Sequence, residues 1–207
     1  MFGKKNKEDM IKKIFCITPK VLGSEHHYVK IELDYDWIDY LKKINYQLIV
    51  LNETNLSLLK KIKPQCIIIS GGGDIYDISK KKTDLKRDKF ELKVFKLFNK
   101  KIPIICVCRG FQLIATKNFK AKIFKTINHV NTHHDIYGPT YNINVNSFHN
   151  YAIKNLPKVF NKIFYHKDKS IELAISKKNK IMMTMFHPER FNKDQIRINK
   201  LLKSFLK

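Results

Sequence analysis

Pro103-Ile104-Ile105-Cys106-Val107-Cys108-Arg109-Gly110-Phe111-Gln112 is an apolar run that ends abruptly in a cysteine and Arg-Gly, then gives way to a helical pattern. It reads as a buried strand over 102–107, a sharp turn at Cys108 and a helix over 109–117. A thiol at such a turn projects above the end of a sheet beside a helix N-terminus, whose partial positive charge favours the thiolate. The same position also suits an inert, buried cysteine at a strand–helix junction. Two other segments end apolar runs in the same way: Ile69-Ser70-Gly71-Gly72-Gly73-Asp74 upstream and Phe186-His187-Pro188-Glu189 downstream.

Outward from this stretch, strands and helices alternate. Residues 13–18 form a short strand closed by Pro19, and the polar segment to Leu33 carries no assignment. Asp34 or Asp36 can cap a helix through Ile44 that puts Trp37, Ile38, Leu41 and Ile44 on one face. A second strand covers 46–51. A helix from Asn52 or Thr54 carries Leu56, Leu59 and Ile62 and is stopped by Pro64. Residues 66–70 are continuously apolar, as in a strand covered on both faces of a parallel sheet. A helix over 87–99 turns Phe90, Val94, Leu97 and Phe98 inward. This order predicts an α/β fold with a doubly wound, mostly parallel sheet whose sites gather at the carboxyl ends of the strands. Beyond Lys117, short strands over 121–124, 141–146, 158–165, 170–176 and 180–185 predict antiparallel additions. A helix over 192–206, with Ile196, Ile198, Leu201, Leu202 and Phe205 as its buried face, closes the fold. No repeat or low-complexity linker interrupts the chain, so one domain over 1–207 is expected.

The 207 residues are 43% hydrophobic, enough for a sizeable core without disulfides or metal. No apolar run approaches the roughly 20 residues of a membrane span. The charged start, Met1 to Asp9, followed by the brief apolar run 14–18, is unlike a secretory signal, and a cytoplasmic protein is expected. The net charge of +23, from 41 Lys and Arg against 18 Asp and Glu, attracts polyanions in general. The lysines are dispersed, however, with no arginine-rich block, zinc-finger spacing or recognition-helix pattern, so no specific nucleic-acid partner is expected. The charge suits an anionic substrate. Cys16, Cys66, Cys106 and Cys108 lack metal-ligand spacing and read as reduced thiols.

A thiolate attacking an acyl carbon needs a base that holds its proton and returns it to the leaving group. His187 is the candidate. Glu189, two residues on, lies on the same side of an extended segment and can orient the ring. A single His-Pro-Glu is also compatible with a surface turn. The tetrahedral oxygen needs donors, for which the backbone N–H of Arg109 and that of Gly72, with Gly73 as an alternate, are candidates. By itself the glycine segment also fits a tight turn or a phosphate cradle.

Taken in order, Ser70-Gly71-Gly72-Gly73-Asp74, Val107-Cys108-Arg109-Gly110-Phe111-Gln112, Val145-Asn146-Ser147-Phe148-His149 and His187-Pro188-Glu189 resemble the class I glutamine amidotransferases. The Cys-Arg-Gly and Val-Asn-Ser-x-His elements resemble more narrowly their stand-alone γ-glutamyl hydrolase branch. The resemblance implies a flavodoxin-like fold and a Cys108–His187–Glu189 triad that cleaves a γ-glutamyl amide through a glutamyl thioester. It implies that Gln112 holds the glutamyl head group and that Asn146, Ser147 and His149 border the pocket. Neither a metal nor an organic cofactor is implied. Where the branch acting on γ-glutamyl-GABA has His-His-Gln, this chain has His149-Asn150-Tyr151, which leaves the amine side of the substrate undefined. A small, lysine-rich chain of this kind also resembles the γ-glutamyl hydrolases of capsular phosphoramidate synthesis, whose substrate is an anionic nucleotide conjugate. A glutaminase subunit feeding ammonia to a separate synthetase, a polyamine-catabolic γ-glutamyl-GABA hydrolase and a non-catalytic binding protein on the same fold are the alternatives. Monomer and homodimer are both compatible with the sequence.

The remaining histidines are of a type that binds zinc: His26-His27, and His129 with His133-His134 and Asp135. No HExxH or paired CxxC accompanies them. Adjacent histidines in polar loops usually face solvent, so no metal is expected. His149 fits either a substrate contact or a structural hydrogen bond.

Overall fold

The computed structural model of the chain describes residues 13–23 and 28–207, so His26-His27 and the N-terminal 1–12 lie outside the described residues. Five short strands lie parallel in the order β4 (Gln47–Val50), β1 (Ile14–Ile17), β5 (Cys66–Ile69), β6 (Ile104–Val107) and β13 (Ile181–Thr184). Strands β5, β6 and β13 are buried at every position, as strands covered on both faces must be. The sheet continues antiparallel through β12 (Ile171–Ser176), β11 (Lys162–Tyr165), β8 (Val130–Tyr137) and β9 (Asn142–Phe148). A branch of β10 (Tyr151–Lys154) and β7 (Lys122–Lys125) pairs onto β12, and β2 (Lys20–Gly23) with β3 (Val29–Glu32) makes a separate hairpin.

Side chains that alternate along a strand feed two cores, one on each face of the sheet. Cys16, Ile67, Ile69, Ile104 and Cys106 pack with Phe90, Val94, Phe95 and Phe98 of α4 (Lys82–Phe98) and Phe111 and Ile114 of α5 (Arg109–Phe119). Phe15, Ile17, Ile68, Ile105 and Val107 pack with Trp37 and Leu41 of α1 (Asp36–Lys43) and Ile198, Leu201 and Phe205 of α6 (Gln195–Phe205). Helices on both faces of a sheet that is parallel at its centre make the flavodoxin-like α/β architecture expected from the resemblance. The segment after β4 holds a 3-10 turn (Leu56–Leu58) and a single turn, α2 (Leu59–Ile62), and α3 (Tyr76–Ser79) precedes α4.

Several expectations need correction. Helix α4 starts five residues before 87, and its inward face carries Phe95, while Leu97 is exposed, one position off the buried stripe. Ile38 and Ile196 also point outward on α1 and α6. Residues 181–184 are not an antiparallel addition: β13 runs parallel to β6. The β2–β3 hairpin, β8 and β10 were unassigned in the sequence, and His133-His134 lies within β8, not in a loop. Among the described residues no helix is long and apolar enough to cross a membrane.

Candidate active site

Strands β5, β6 and β13 are neighbours and parallel, so the three segments leaving their carboxyl ends emerge side by side. These are Ser70 to Asp74, Cys108 and His187 to Glu189. Cys108 takes φ 49° and ψ −105°, a conformation that a residue with a Cβ adopts only under compulsion. The compulsion comes from both sides: its N–H donates to Thr184 O at 2.7 Å and its carbonyl accepts the Gln112 N–H at 3.0 Å. Helix α5 must also start close to β5. A Cβ on Gly110 would come within 2.3 Å of Ile69 O, so glycine is required after the turn.

The His187 ring lies between Cys108 and Glu189. Its Nδ1 is 2.7 Å from Glu189 Oε1, and the ring also interacts with the Cys108 thiol. Burial alone would push the thiol up. The hydrogen bond with His187, the charges of His187 and His149 and the Arg109 N–H outweigh it and carry the Cys108 pKa below that of an ordinary thiol. His187 shifts the other way: burial would lower it, but the Glu189 carboxylate and the Cys108 sulfur raise it. The pair therefore favours thiolate and imidazolium. Burial drives the other three cysteines upward, Cys16 to about 12. Gly71 leaves room for the ring, since a Cβ there would sit 2.7 Å from His187 Cε1 and 3.3 Å from Cys108 Cβ.

A cavity of about 260 Å³ opens onto this pair, lined by Gly72, Gly73, Asp74, Cys108, Gln112, Phe148, His149, Asn150, His187 and Arg190. Gly72 and Gly73 have φ of 83° and 74°, which glycine adopts without strain. The buried Arg87 side chain donates to Ser70 O (2.9 Å), Gly71 O (2.9 Å) and Gly72 O (2.7 Å). In a trans peptide the N–H points opposite to the carbonyl, so Arg87 turns the N–H groups of Gly72 and Gly73 away from itself.

Beneath the loop lies a buried ionic network that sequence reasoning missed. Glu91 accepts from Arg87 Nε (2.8 Å), Arg109 Nη1 (2.5 Å) and Thr18 Oγ1 (3.0 Å), and Arg109 also bonds Asp88. Arg109, expected only as an N–H donor, thus ties the elbow to α4 through its side chain. The only signal was charged residues interrupting the apolar stripe of an otherwise amphipathic helix.

Of the expected pocket residues, Gln112 and His149 line the cavity; Gln112 Nε2 donates to Tyr151 O at 2.9 Å. Asn146 and Ser147 do not. Both are buried with their polar atoms committed: Asn146 Oδ1 accepts the His187 N–H at 2.9 Å, and Asn146 Nδ2 donates to His187 O at 2.8 Å and Phe191 O at 3.1 Å. Ser147 Oγ donates to His129 O at 2.6 Å. Asn146 therefore positions the His187 segment. Arg190, not foreseen, lies over the Phe148 ring at 4.8 Å and pairs with Asp34 at 3.1 Å at the cavity wall. A larger groove of about 620 Å³ among Leu56, Lys60, Pro64, Leu97 and Pro103 lies at the opposite ends of the strands, and no cysteine, histidine or carboxylate lines it.

Comparison with known proteins agrees with this architecture. The chain is 32% identical over 182 residues to the gamma-glutamyl-CDP-amidate hydrolase of Campylobacter jejuni, covering 85% of this chain and 90% of that protein. It is 29% identical over 156 residues to a GMP synthase of Prochlorococcus marinus, covering 70% of this chain but 27% of that longer protein. A crystal structure of a glutamine amidotransferase from Thermotoga maritima superposes with a TM-score of 0.60 at 17% identity, covering 94% of this chain and 84% of the other. A Thermoplasma acidophilum protein provisionally assigned as a component of GMP synthase superposes with a TM-score of 0.70 at 19% identity, covering 94% of each chain. Residues 30–203 match the model of the glutamine amidotransferase class I family, and the chain belongs to that family.

Proposed function

We propose that this protein is a cysteine-dependent hydrolase that cleaves the γ-glutamyl amide bond of a small anionic conjugate, a γ-glutamyl nucleotide amidate of the CDP type being the best-supported substrate. The observation that supports the reading is the placement of Cys108 and His187 together at the cavity, with the Glu189 carboxylate 2.7 Å from His187 Nδ1. The Campylobacter relative, matched along 90% of its length, supports the substrate class. Arg190 at the cavity wall and the +23 charge are complementary to an anionic leaving group.

In this mechanism the Cys108 sulfur adds to the γ-carbonyl carbon, and the oxygen takes the negative charge against the N–H groups of Arg109 and of Gly72 or Gly73. His187 gives its proton to the departing nitrogen as the C–N bond breaks, leaving a glutamyl thioester. Water then adds to the thioester carbon and His187 takes its proton. Collapse releases glutamate and returns the thiolate. Glu189 holds the imidazole in orientation throughout, and Gln112 and His149 hold the glutamyl group.

A glutamate-release screen across glutamine, γ-glutamyl amines and γ-glutamyl nucleotide amidates tests the proposal. Highest kcat/KM on a nucleotide amidate supports it. Turnover of glutamine alone, and only with a partner synthetase, would replace it with the glutaminase-subunit reading that the GMP synthase likeness suggests.

Two further outcomes follow from the site. Iodoacetamide should alkylate Cys108 at pH 7 about tenfold faster than an ordinary thiol, of which only a few per cent is ionised there. The sign is set by the pair: the sulfur loses reactivity as pH falls through its lowered value, and His187→Ala should move that inflection upward. An unchanged alkylation profile in His187→Ala would contradict the ion pair. Gly71→Ala should push the His187 ring away and lower kcat by about 100-fold with an unaltered far-ultraviolet spectrum.

A further inference from the structure

Behind the His149 wall of the cavity, four imidazoles and two carboxylates come together. The rings of His129 and His134 are 4.9 Å apart, His129 and His149 4.8 Å, His129 and His166 4.6 Å, and His134 and His166 4.3 Å. Glu172, wholly buried on β12, faces them. Its nearest hydroxyl, Ser170 Oγ, is 3.1 Å from Oε1 and closer, at 2.6 Å, to Asp168 Oδ1, and Glu172 Oε2 has no hydrogen-bond partner. The nitrogens around Glu172 are too distant for charge-assisted hydrogen bonds, which run about 2.7–2.9 Å. His149 Nε2 is 3.4 Å from Oε1, His129 Nδ1 is 3.7 Å from Oε1, and His134 Nε2 is 3.6 Å from Oε2.

The outer ring nitrogens determine what faces inward. His149 Nδ1 is 3.1 Å from Tyr151 O, and His129 Nε2 is 3.0 Å from Asp168 Oδ2. Both partners only accept, so those nitrogens carry hydrogen, and His149 Nε2 and His129 Nδ1 are the ring atoms left to face the carboxylate. These two atoms and Glu172 Oε2 are buried without a hydrogen-bond partner. Buried polar atoms that face one another without hydrogen bonds are costly, and a cation held between them, with those two nitrogens unprotonated, removes the cost. Donor atoms of His129, His149 and Glu172 all lie within 4.8 Å of one another. A tetrahedral zinc-type centre, with bonds of about 2.0–2.1 Å, spaces its donors about 3.3 Å apart, close to the 3.4–3.7 Å seen here.

We propose that His129 Nδ1, His149 Nε2 and the Glu172 carboxylate hold a divalent transition-metal ion of the zinc class. Two nitrogens and a carboxylate suit zinc over the hard oxygen-seeking cations. Asp168 supplies the outer carboxylate that fixes a metal-bound histidine. The ion joins the residue before β8, the turn after β9 and β12, and so holds the His149 ring at the cavity. It revises the expectation that these histidines face solvent.

The full chain, expressed with zinc and dialysed against metal-free buffer, should retain about one zinc per chain. X-ray absorption should show imidazole and oxygen donors without sulfur, and Co²⁺ in place of zinc should give tetrahedral visible bands. Cys108→Ser and the double variant His26→Ala/His27→Ala should keep the ion. His129→Ala should lose it, and Asp168→Asn, which keeps an oxygen to accept the Ser170 N–H, should weaken zinc affinity about 10- to 100-fold with an unchanged urea midpoint of the metal-free protein. The proposal is overturned by folded wild-type protein that retains no stoichiometric zinc and gives no Co²⁺ bands, by sulfur among the donors, by loss of zinc in the Cys108 or His26/His27 variants, or by unchanged affinity in Asp168→Asn.

Discussion

Cys108→Ala is expected to lower the rate of γ-glutamyl amide hydrolysis by on the order of 10⁴-fold or more while leaving the fold intact. In the proposed mechanism the sulfur forms the covalent bond in the first half-reaction and is the leaving group in the second, so its loss removes both steps. What that mechanism leaves is the stabilisation that the Arg109 and Gly72 N–H groups and the binding of the glutamyl group would give to direct attack by water. KM should change little, because Gln112, His149 and Arg190 still line the cavity. Near-wild-type turnover in this variant would remove the thioester from the mechanism.

The largest loss of stability is expected from Glu91→Ala. Glu91 is fully buried and is the shared acceptor of Arg87, Arg109 and Thr18. Deleting it leaves the buried Arg87 with neutral acceptors alone and the buried Arg109 with Asp88 as its one carboxylate. Breaking such a network costs about 3–5 kcal/mol, against the roughly 5–15 kcal/mol that holds a domain folded. Urea denaturation measures it. Lys117→Ala, which breaks the exposed Lys117–Asp77 pair, is the control and should cost under about 1 kcal/mol. A Glu91→Ala loss as small as the control's would mean that the network contributes little. The consequence reaches the site, because Arg87 is also the donor that turns the 70–72 carbonyls downward.

The parallel strands and the segments at their carboxyl ends were legible because each is a short apolar run cut off by a residue with a chemical reason to be there. Cys108, Gly71 to Gly73 and His187 are such residues. The antiparallel half was legible only in part. Strand β8 reads Val130-Asn131-Thr132-His133-His134-Asp135-Ile136-Tyr137, polar along most of its length, so its hydrophobic period is too weak to mark it. Its His134 packs on His129 and His166 and its His133 on Phe191, tertiary contacts that no local pattern records. Asn146 and Ser147 were misplaced for a related reason. A motif puts residues near a site but does not say whether a side chain faces the cavity or the loop behind it. Arg87, Asp88 and Glu91 were hidden by composition, as charges on a lysine-rich helix read as solvated until their partners on α5 and the 70–72 loop are in view.

The most direct test of the central claim is peptide mapping by mass spectrometry after rapid quenching of the protein with a γ-glutamyl substrate. A glutamyl adduct on the peptide containing Cys108, absent from Cys108→Ala, is the predicted result. Steady glutamate release with no adduct on Cys108, or an adduct on Cys16, Cys66 or Cys106 instead, would contradict the account.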